Sequence, residues 1–197
     1  MITVTERENP VDMVEFVESD RLFLNPLETN DWRIRRVVHD KIVQCSENLP
    51  DGLCLMLFDA FRTRERQWQL WRPVYEQLTK DNPKWSKQQV YTEASRWVAP
   101  PDGLGSGHQA GAAVDVKLAY SDRTELDFGG PMKGMSGMAP TAWPVSAEIR
   151  KNRDLLVDLL HNVGMVNYPD EWWHFSYGDR LWAEVLGKSE AFFAPIE

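Results

Sequence analysis

The sequence predicts one domain, residues 1–197, in which α-helices and β-strands are mixed. Three observations lead to this prediction. Apolar residues recur at helical spacing over 31–48 and again over 146–162, the run 53–58 is almost continuously apolar, and residues 112–118 alternate between apolar and polar. No repeat, low-complexity tract or linker divides the chain, so a single hydrophobic core is expected.

The first helix and the first buried strand follow from local signals. Asn30 or Asp31 is expected to cap a helix that runs to about residue 48, and the Leu-Pro-Asp-Gly segment 49–52 ends it. The apolar run 53–58 is then expected to form a central strand that is buried on both faces.

Two helices are expected after this strand. The first covers about residues 63–80, and Pro73 should kink it or divide it into two shorter helices. The second begins at Ser86, because Gln89 three residues later completes a capping-box pattern, and it runs to about residue 98.

The second half of the chain begins with the alternating strand 112–118. The segment 119–145 is rich in Gly, Pro and Met, so it is predicted to be a long loop that forms one wall of a cleft. The remaining predicted elements are a helix from Ser146 to about residue 162 that Gly164 ends, a strand over 171–176 and a helix over about 179–186.

The composition argues against several classes of partner. The formal net charge is −8 and the isoelectric point is about 5.1, whereas nucleic acids and anionic membranes attract basic surfaces. No apolar run approaches the roughly 20 residues that span a bilayer. We therefore expect no nucleic acid and no membrane as a partner, and nothing implies an obligate protein partner.

The cysteines and the first residues bear on the cellular compartment. Cys45 and Cys54 provide neither a disulfide framework nor a metal-binding pair, and both lie in apolar segments, so buried thiols are expected. Residues 1–8 are polar and acidic and lack the pattern of a signal peptide. A cytoplasmic location is the resulting expectation.

Two short stretches, 106–115 and 171–174, contain the residue types that a catalytic zinc ion requires. Such an ion takes three ligands from His, Asp or Glu and leaves a fourth position for water. His108, Asp115 and His174 can fill the three places. Glu171 is then available to accept a proton from the bound water, whose pKa zinc lowers to about 7. The sequence thus predicts one zinc ion per chain.

Some of these residues also have structural interpretations. Taken alone, His108 and Asp115 could be a hydrogen-bonded pair in a loop. Arg62 follows the buried strand, and its guanidinium could form an ion pair with Asp59 or Glu65 or could face the oxyanion that develops when water attacks a carbonyl. Residue types alone leave both alternatives open for Arg62.

Other aromatic and imidazole side chains are interpreted as structural. Trp172 and Trp173 are expected to pack beside the strand and to shield the ligands from water. His39 is expected at the surface of the first helix. His161 lies in the last turn of its helix, where the helix dipole favours a His, so a surface role is preferred over that of a spare ligand.

The pattern Ser-x-His-x-x-Gly-x-Ala-x-Asp over 106–115, followed by Glu-Trp-Trp-His over 171–174, resembles the zinc D,D-peptidases. These include the VanX-type D-alanyl-D-alanine dipeptidases and the VanY-type carboxypeptidases. The resemblance extends from about residue 30 to residue 175, because the Asp-Ala-Phe-Arg segment 59–62 stands where that family has Asp-Gly-Tyr-Arg. The Glu-Trp-Trp-His form and the length of the chain favour the dipeptidase branch.

This resemblance implies a fold and a set of roles. The fold is α+β, with a central antiparallel sheet flanked by helices, as in hedgehog-type domains and D,D-peptidases. Three residues bind zinc, namely His108, Asp115 and His174. The implied catalytic roles are Glu171 as the base and then the acid, Arg62 as the group that polarises the scissile carbonyl, and Ser106 as a residue that helps to hold a small peptide substrate.

One position departs from the dipeptidase pattern. That branch has a Phe-Asp pair in the loop after the Asp ligand, and the Asp receives the free amino terminus of the substrate. Here the matching residues are Met132 and Lys133, and a Lys would repel an ammonium group. Asp122 or Asp127 could substitute. Lys133→Asp is expected to raise activity on the free dipeptide, and no gain would count against this interpretation of Lys133 as a substrate-binding position.

Two other functions remain open at this point. The first is a D,D- or L,D-carboxypeptidase that acts on longer peptidoglycan peptides. The second is a non-catalytic binding domain that contains zinc. Glu171 and Arg62 together favour an enzyme, because a purely structural zinc ion has a closed shell of four ligands.

Overall fold

The computed structural model describes residues 2–8, 10–25, 31–103, 105–132 and 139–196. Within these ranges the chain forms nine strands and five helices. The strands are β1 (Thr3–Val4), β2 (Met13–Glu15), β3 (Leu22–Leu24), β4 (Arg33–Arg35), β5 (Leu53–Asp59), β6 (Ala113–Tyr120), β7 (Val166–Tyr168), β8 (Glu171–Ser176) and β9 (Glu190–Ala191). The helices are α1 (Arg36–Glu47), α2 (Arg64–Asp81), α3 (Lys87–Ala94), α4 (Ala147–Asn162) and α5 (Arg180–Val185).

A five-stranded sheet in the order β3-β5-β6-β8-β7 forms the centre of this α+β structure. The pairings of β5 with β6, β6 with β8 and β7 with β8 are antiparallel, as expected, and the edge strand β3 runs parallel to β5. β5 and β6 are inner strands whose residues are buried along most of their length. This position explains the almost continuous apolar run of β5.

Helices α1 and α4 complete the main hydrophobic core. Val38 and Ile42 of α1 and Leu156 and Leu160 of α4 are fully buried and belong to the same cluster as the inner strands. Cys45 also lies in this core, and burial raises the pKa of its thiol to about 12. Both cysteines are buried and free, as predicted.

Four helices begin at a side-chain cap. Thr63, Ser86, Ser146 and Asp179 each accept a hydrogen bond from the backbone N–H three residues later, and Ser86 forms the complete capping box with its partner. The caps at Ser86 and Ser146 were predicted, because a Ser hydroxyl compensates the unpaired N–H groups of a first helical turn. The predicted stop at Gly164 is also present, with a φ of +83°.

The start of α1 was predicted incorrectly. The helix begins at Arg36 with no side-chain cap, whereas a cap at Asn30 or Asp31 was expected. Asn30 lies outside the described residues. The three residues before the helix instead form β4, which pairs with β2, so a non-local strand pairing replaces the first turns of the expected helix.

Two further boundaries differ from expectation. α2 is a single helix that contains Pro73 rather than two shorter helices. Pro73 lies on the exposed side, where loss of one backbone hydrogen bond is tolerated. α3 ends at Ala94 rather than near residue 98.

None of the described helices is long and apolar enough to cross a membrane.

Arg35 connects both ends of the chain to the turn before β6. Its guanidinium is fully buried, donates to the carboxylates of Glu6 and Glu8 and donates through Nε to the carbonyl oxygen of Ala110 at 2.7 Å. The same group lies 4.3 Å from the ring centroid of Phe193. A buried guanidinium with these partners fixes the position of the turn that precedes β6.

The ion pair of Arg35 with Glu6 predicts acid sensitivity. Burial alone would raise the pKa of Glu6, but the hydrogen bonds from Arg35 outweigh burial and lower the pKa from its ordinary value of 4.5. Because the folded-state pKa is lowered, the stabilisation is present above that ordinary value and is lost as the pH falls through the lowered one. We expect Glu6→Gln to reduce the free energy of unfolding by about 1–3 kcal/mol near neutral pH.

Urea unfolding of both proteins, near pH 7 and again near pH 3, measures this difference. The exposed Glu76→Gln of α2 is the control, for which no change is expected. A difference between Glu6→Gln and the unmodified chain that is equally large in acid would contradict the assignment to this ion pair.

Candidate metal centre

Strand pairing brings the predicted metal ligands together. Asp115 of β6 and His174 of β8 are directly opposite in the register, and Asp59 of β5 is opposite Asp115 on the other side. His108 lies in the turn before β6, where the N–H of Gly111 donates to the carbonyl oxygen of His108 at 3.1 Å. Gly111 has a φ of +61°, which this turn requires and which favours glycine.

The three candidate ligand atoms form a compact triangle. Nε2 of His108 lies 3.2 Å from Nδ1 of His174 and 3.3 Å from Oδ1 of Asp115, and the His174 and Asp115 atoms are 3.0 Å apart. A tetrahedral zinc ion bonded at about 2.0–2.1 Å separates its ligand atoms by about 3.3 Å. All three residues are buried. Spacing and donor types therefore fit zinc, and the group could hold a metal ion.

The end of β5 orients His108. Nδ1 of His108 lies 2.7 Å from the carbonyl oxygen of Ala60. A carbonyl can only accept a hydrogen bond, so Nδ1 carries a hydrogen and Nε2 is the ring atom that faces the triangle. The backbone N–H of Arg62 donates in turn to the carbonyl oxygen of His108 at 3.3 Å. The imidazole is thus oriented with Nε2 toward the other two candidate ligands.

Asp115 is the anionic member of the triangle. Burial opposes ionisation of Asp115, but the imidazoles of His108 and His174 outweigh burial and hold its pKa well below the usual range. Burial would lower the pKa of His174, and the contact with Asp115 raises it instead. Asp115 is therefore an ionised carboxylate that faces two imidazoles.

The guanidinium of Arg62 lies between two carboxylates. Its Nε donates to Oδ2 of Asp59 at 2.7 Å, and its Nη2 donates to Oδ2 of Asp115 at 3.2 Å. The other carboxylate oxygen of Asp59 accepts the backbone N–H of Ala60 at 2.9 Å. The ion pair with Asp59 thus forms, and the side chain also lines the cavity beside the candidate ligands. The two interpretations of Arg62 are compatible.

Glu171 lies at the start of β8 beside the triangle. Its Oε2 is 4.0 Å from Nδ1 of His174, and the side chain lines the same cavity. Burial raises the pKa of its carboxyl to about 7, with His174 opposing the rise and Asp115 adding to it. A carboxyl group with a pKa near neutrality is well matched to proton transfer.

The two predicted substrate-binding residues have different outcomes. Ser106 lines the cavity, where its hydroxyl accepts the N–H of Gln109 at 3.2 Å and donates to Gln67 at 3.5 Å. Lys133 lies outside the described residues, so its role stays a prediction. Met132, directly before it, lines the cavity, which agrees with the expectation that the long loop forms part of one wall.

The carboxylates considered as substitutes for a substrate-binding Asp lie elsewhere. Asp122 accepts the N–H of Thr124, and Asp127 accepts the N–H of Gly129. Both side chains belong to exposed residues, and neither is among the described residues that line the cavity. Neither carboxylate therefore takes the place of the expected Asp.

The remaining Trp and His side chains of the sequence analysis differ in burial. Trp172 and Trp173 are buried, and Trp172 stacks on Phe128 with ring centroids 4.5 Å apart. Trp173 also lines the cavity, so it both packs and shields the centre. His161 is exposed, and His39 is only half-buried and stacks on Phe16.

Sequence reasoning missed two residues of the cavity wall. The ring of Tyr168 meets the His174 ring edge to face at 6.1 Å, and burial raises the pKa of its phenol to about 12. Asp179 is buried, and a Cβ added to Gly107 would lie 2.3 Å from its Oδ2, which explains the glycine beside His108. The cap of α5 was the only sequence signal for Asp179, and strand pairing alone places Tyr168.

The cavity has a volume of about 730 Å³. Most of the described residues that line it fall into three groups. They are the candidate ligands with their neighbours, one face of α2 with the segment 95–100, and the start of α5 with the C-terminal residues 193 and 195. The candidate ligands therefore border a space large enough for a small organic molecule.

Residues 39–190 match a family model described as Peptidase_M15, D-ala-D-ala dipeptidase. Among curated proteins, the chain is similar to a D-alanyl-D-alanine dipeptidase of Synechocystis, with 28% identity over 66% of this chain and 61% of that protein. It is also similar to a D-alanyl-D-alanine dipeptidase of Escherichia coli, with 27% identity over 63% of this chain and 55% of that protein. The matched region thus spans less than two thirds of either relative.

Two solved structures are also similar to the chain. One is a vancomycin-resistance D,D-pentapeptidase VanY in complex with Zn(II), with 18% identity, a TM-score of 0.48 and coverage of 83% of this chain and 84% of that one. The other is VanYB in complex with D-alanine-D-alanine, with 19% identity, the same TM-score of 0.48 and coverage of 76% and 74%. The family match over residues 39–190 carries the assignment.

Proposed function

Because the chain belongs to the Peptidase_M15 family of D-ala-D-ala dipeptidases, we propose that it is a zinc-dependent dipeptidase that hydrolyses D-alanyl-D-alanine or a related cell-wall peptide. The observation that carries the proposal is the buried triangle of His108, Asp115 and His174 with Glu171 beside it. The names of the two curated relatives support the choice of substrate. One zinc ion per chain and a small peptide ligand are parts of the same proposal.

The roles of the metal ligands follow from their donor atoms. His108, Asp115 and His174 would hold the ion through Nε2, Oδ1 and Nδ1 and leave a position for a fourth ligand. When bound, zinc supplies Lewis acidity, which acidifies a water molecule and polarises the scissile carbonyl. Ala60 keeps His108 in the required tautomer through its carbonyl oxygen.

The remaining steps are assigned to Glu171 and Arg62. Glu171 takes a proton from the attacking water at its carboxylate and returns it to the leaving amine. Arg62 donates an N–H to the oxyanion that develops on the carbonyl. Asp59 holds the guanidinium of Arg62 in place through Nε. Ser106 forms part of the wall against which the substrate lies.

Arg62→Lys tests the proposed oxyanion contact. A lysine keeps the charge but lacks the planar fork that reaches Asp59 and Asp115 together. We expect kcat on D-Ala-D-Ala to fall by about 10²–10³-fold, the usual effect of losing one oxyanion donor. Steady-state kinetics measure this fall, and the zinc content of the variant shows whether the metal is retained. A kcat within about threefold of the original would remove Arg62 from the proposed mechanism.

The direct experiment is the release of free D-alanine from D-Ala-D-Ala by zinc-loaded protein, compared with chelator-treated protein. Release that depends on zinc supports the reaction and the metal together. If zinc binds but neither this dipeptide nor longer wall peptides are cleaved, the chain is a binding domain and the proposal is wrong.

We further propose that residues 1–197 act as one domain and that the protein works in the cytoplasm. The free, buried thiols of Cys45 and Cys54 support the second point, because disulfides are rare in that compartment. Cell fractionation tests it. Recovery of the protein outside the cytoplasm would contradict it.

A further inference from the structure

The pairing of β7 with β8 is interrupted beside the metal centre. Asn167 lies opposite Phe175, but the next residue of β7, Tyr168, lies opposite Glu171. One step along β7 thus corresponds to four steps along β8, and the register gives residues 172–174 no partner on β7. Bulges of this kind are frequent beside active sites, where they change the direction of a side chain. The carbonyl groups of β8 at this bulge need hydrogen-bond donors other than the backbone of β7.

The side-chain amide of Asn167 supplies a donor to these carbonyl groups. The residue is buried, and its Nδ2 lies 3.0 Å from the carbonyl oxygen of Glu171, 3.1 Å from that of His174 and 3.4 Å from that of Trp172. An amide nitrogen carries two hydrogens, so the two shortest contacts are those that it can satisfy together. They belong to the proposed base and to one proposed metal ligand.

Thr141 fixes the orientation of this amide. Its hydroxyl donates to Oδ1 of Asn167 at 2.6 Å. Rotation of the amide by half a turn would place Oδ1 against three carbonyl oxygens, so the amide has one favourable orientation. Thr141 is itself held through its backbone. Its N–H donates to the carbonyl oxygen of Pro169 at 2.8 Å, and its carbonyl oxygen accepts from Arg150 at 2.7 Å.

The peptide group that follows Glu171 is held from both sides. Its carbonyl oxygen accepts from Asn167, and its N–H, which belongs to Trp172, donates to the carbonyl oxygen of Ala139 at 3.0 Å. A peptide group is planar, so these two contacts fix the plane that begins at the Cα atom of Glu171. They thereby fix the direction in which its side chain leaves the backbone. That side chain lines the cavity, and its Oε2 lies 4.0 Å from Nδ1 of His174.

His174 is also held from both sides. Toward β6 it lies opposite Asp115, and toward β7 its carbonyl oxygen accepts from Asn167. One amide therefore contacts the backbone of both functional residues of β8. Loss of this amide should shift both residues relative to Asp115, which β6 carries.

We propose that Asn167, oriented by Thr141, is a positioning residue for Glu171 and His174. It acts through the backbone of β8, and it is not among the described residues that line the cavity. The inference rests on the proposed function for the roles of Glu171 and His174, but the contacts that carry it do not depend on the identity of the substrate.

Asn167→Ala is the first test. We expect kcat on D-Ala-D-Ala to fall by about 10–100-fold and zinc affinity to fall by about tenfold, as is usual when a group that orients a metal ligand is removed. KM should change by less than about threefold, because the side chain does not line the cavity. Rates are expressed per bound zinc and measured well below the unfolding temperature. A purely structural role would lower stability and leave this rate unchanged.

Two variants of Thr141 test the same arrangement while the amide is kept. Val has the shape of Thr without the hydroxyl, whereas Ser retains the hydroxyl. We expect Thr141→Val to lower kcat by about threefold to tenfold, in line with the loss of one hydrogen bond, and Thr141→Ser to keep the original rate. If Asn167→Ala does not fold, this pair decides. Equal rates for the Val and Ser variants would then overturn the inference.

Asn152→Ala is the matched control. Asn152 is a half-buried residue of α4 whose Nδ2 donates to the carbonyl oxygen of Asp127 at 2.8 Å. Its replacement removes the same kind of hydrogen bond at a place that does not touch β8. Both kcat and zinc affinity should equal those of the unmodified chain.

Cobalt(II), bound in place of zinc, gives a readout that does not need cleavage. Its visible absorption depends on the arrangement of its ligands, so a displaced His174 should change the spectrum in Asn167→Ala but not in Asn152→Ala. This result supports the positioning role even if no peptide is cleaved, in which case only the proposed function fails. An unchanged spectrum, with a kcat within about twofold of the original, would overturn the inference and leave the dipeptidase proposal intact.

Discussion

Glu171→Gln is expected to lower kcat on D-Ala-D-Ala by about 10²–10⁴-fold, the range that positioned proton transfer usually contributes. Gln has the shape of Glu but cannot accept and return the proton. The carboxylate lies 4.0 Å from Nδ1 of His174, and it is not one of the three proposed ligands. Zinc content, measured by atomic absorption, should therefore stay near one per chain while the rate falls.

Glu184→Gln serves as the matched control for this effect. Glu184 lines the same cavity from α5, so Glu184→Gln makes the same chemical change in the same space without removing the proposed base. A rate close to that of the unmodified chain is expected. If both variants lose activity equally, a general change of cavity charge explains the loss and the assignment of Glu171 fails.

His174→Ala is expected to weaken zinc binding by more than about 100-fold and to abolish measurable hydrolysis. Changes in residues that merely orient a metal ligand already cost about 10–100-fold in affinity, and this change removes one of three proposed ligands. It also leaves Asp115 with one imidazole partner in a buried site. Competition with a chromogenic chelator measures the affinity, and circular dichroism verifies that the variant is folded.

The other histidines provide the control for this change. His161→Ala removes an exposed imidazole at the end of α4, and both zinc affinity and hydrolysis should remain unchanged. Loss of zinc from His161→Ala would mean that the surface interpretation of His161 is wrong. Retention of zinc by His174→Ala at the original affinity would mean that the triangle is not the metal site.

The sequence predicted most of the elements correctly where the signal was local. Strand β8 has the predicted bounds, and the predicted caps at Ser86 and Ser146 are present, because a cap depends on one side chain and the N–H groups of the next turn. The start of α1 was wrong for the opposite reason. Residues 33–35 pair with a strand some twenty residues earlier, and no local pattern reports such a partner.

The candidate site shows the same difference between local and non-local signals. Residue types and spacing predicted four side chains of the candidate site, since zinc chemistry requires such side chains whatever the fold. These are His108, Asp115, Glu171 and His174. The supporting carbonyl of Ala60 could not be identified, because a backbone atom carries no residue-type signal. Tyr168 and Asp179 were missed because they reach the cavity through strand pairing and a helix start.

The sequence by itself determined which side chains offer donor atoms to the candidate centre and most of the helices and strands that carry them, because ligand chemistry and local hydrogen bonding depend on residue type. Only the tertiary structure decided how these parts meet. The antiparallel register of β6 and β8 sets Asp115 opposite His174. The pairing of β5 with β6 brings Asp59 and Arg62 to the same place. The contact of α2 with the segment after α3 forms one wall of the cavity. Contacts between distant segments depend on the whole packed chain, and no short stretch of sequence encodes them.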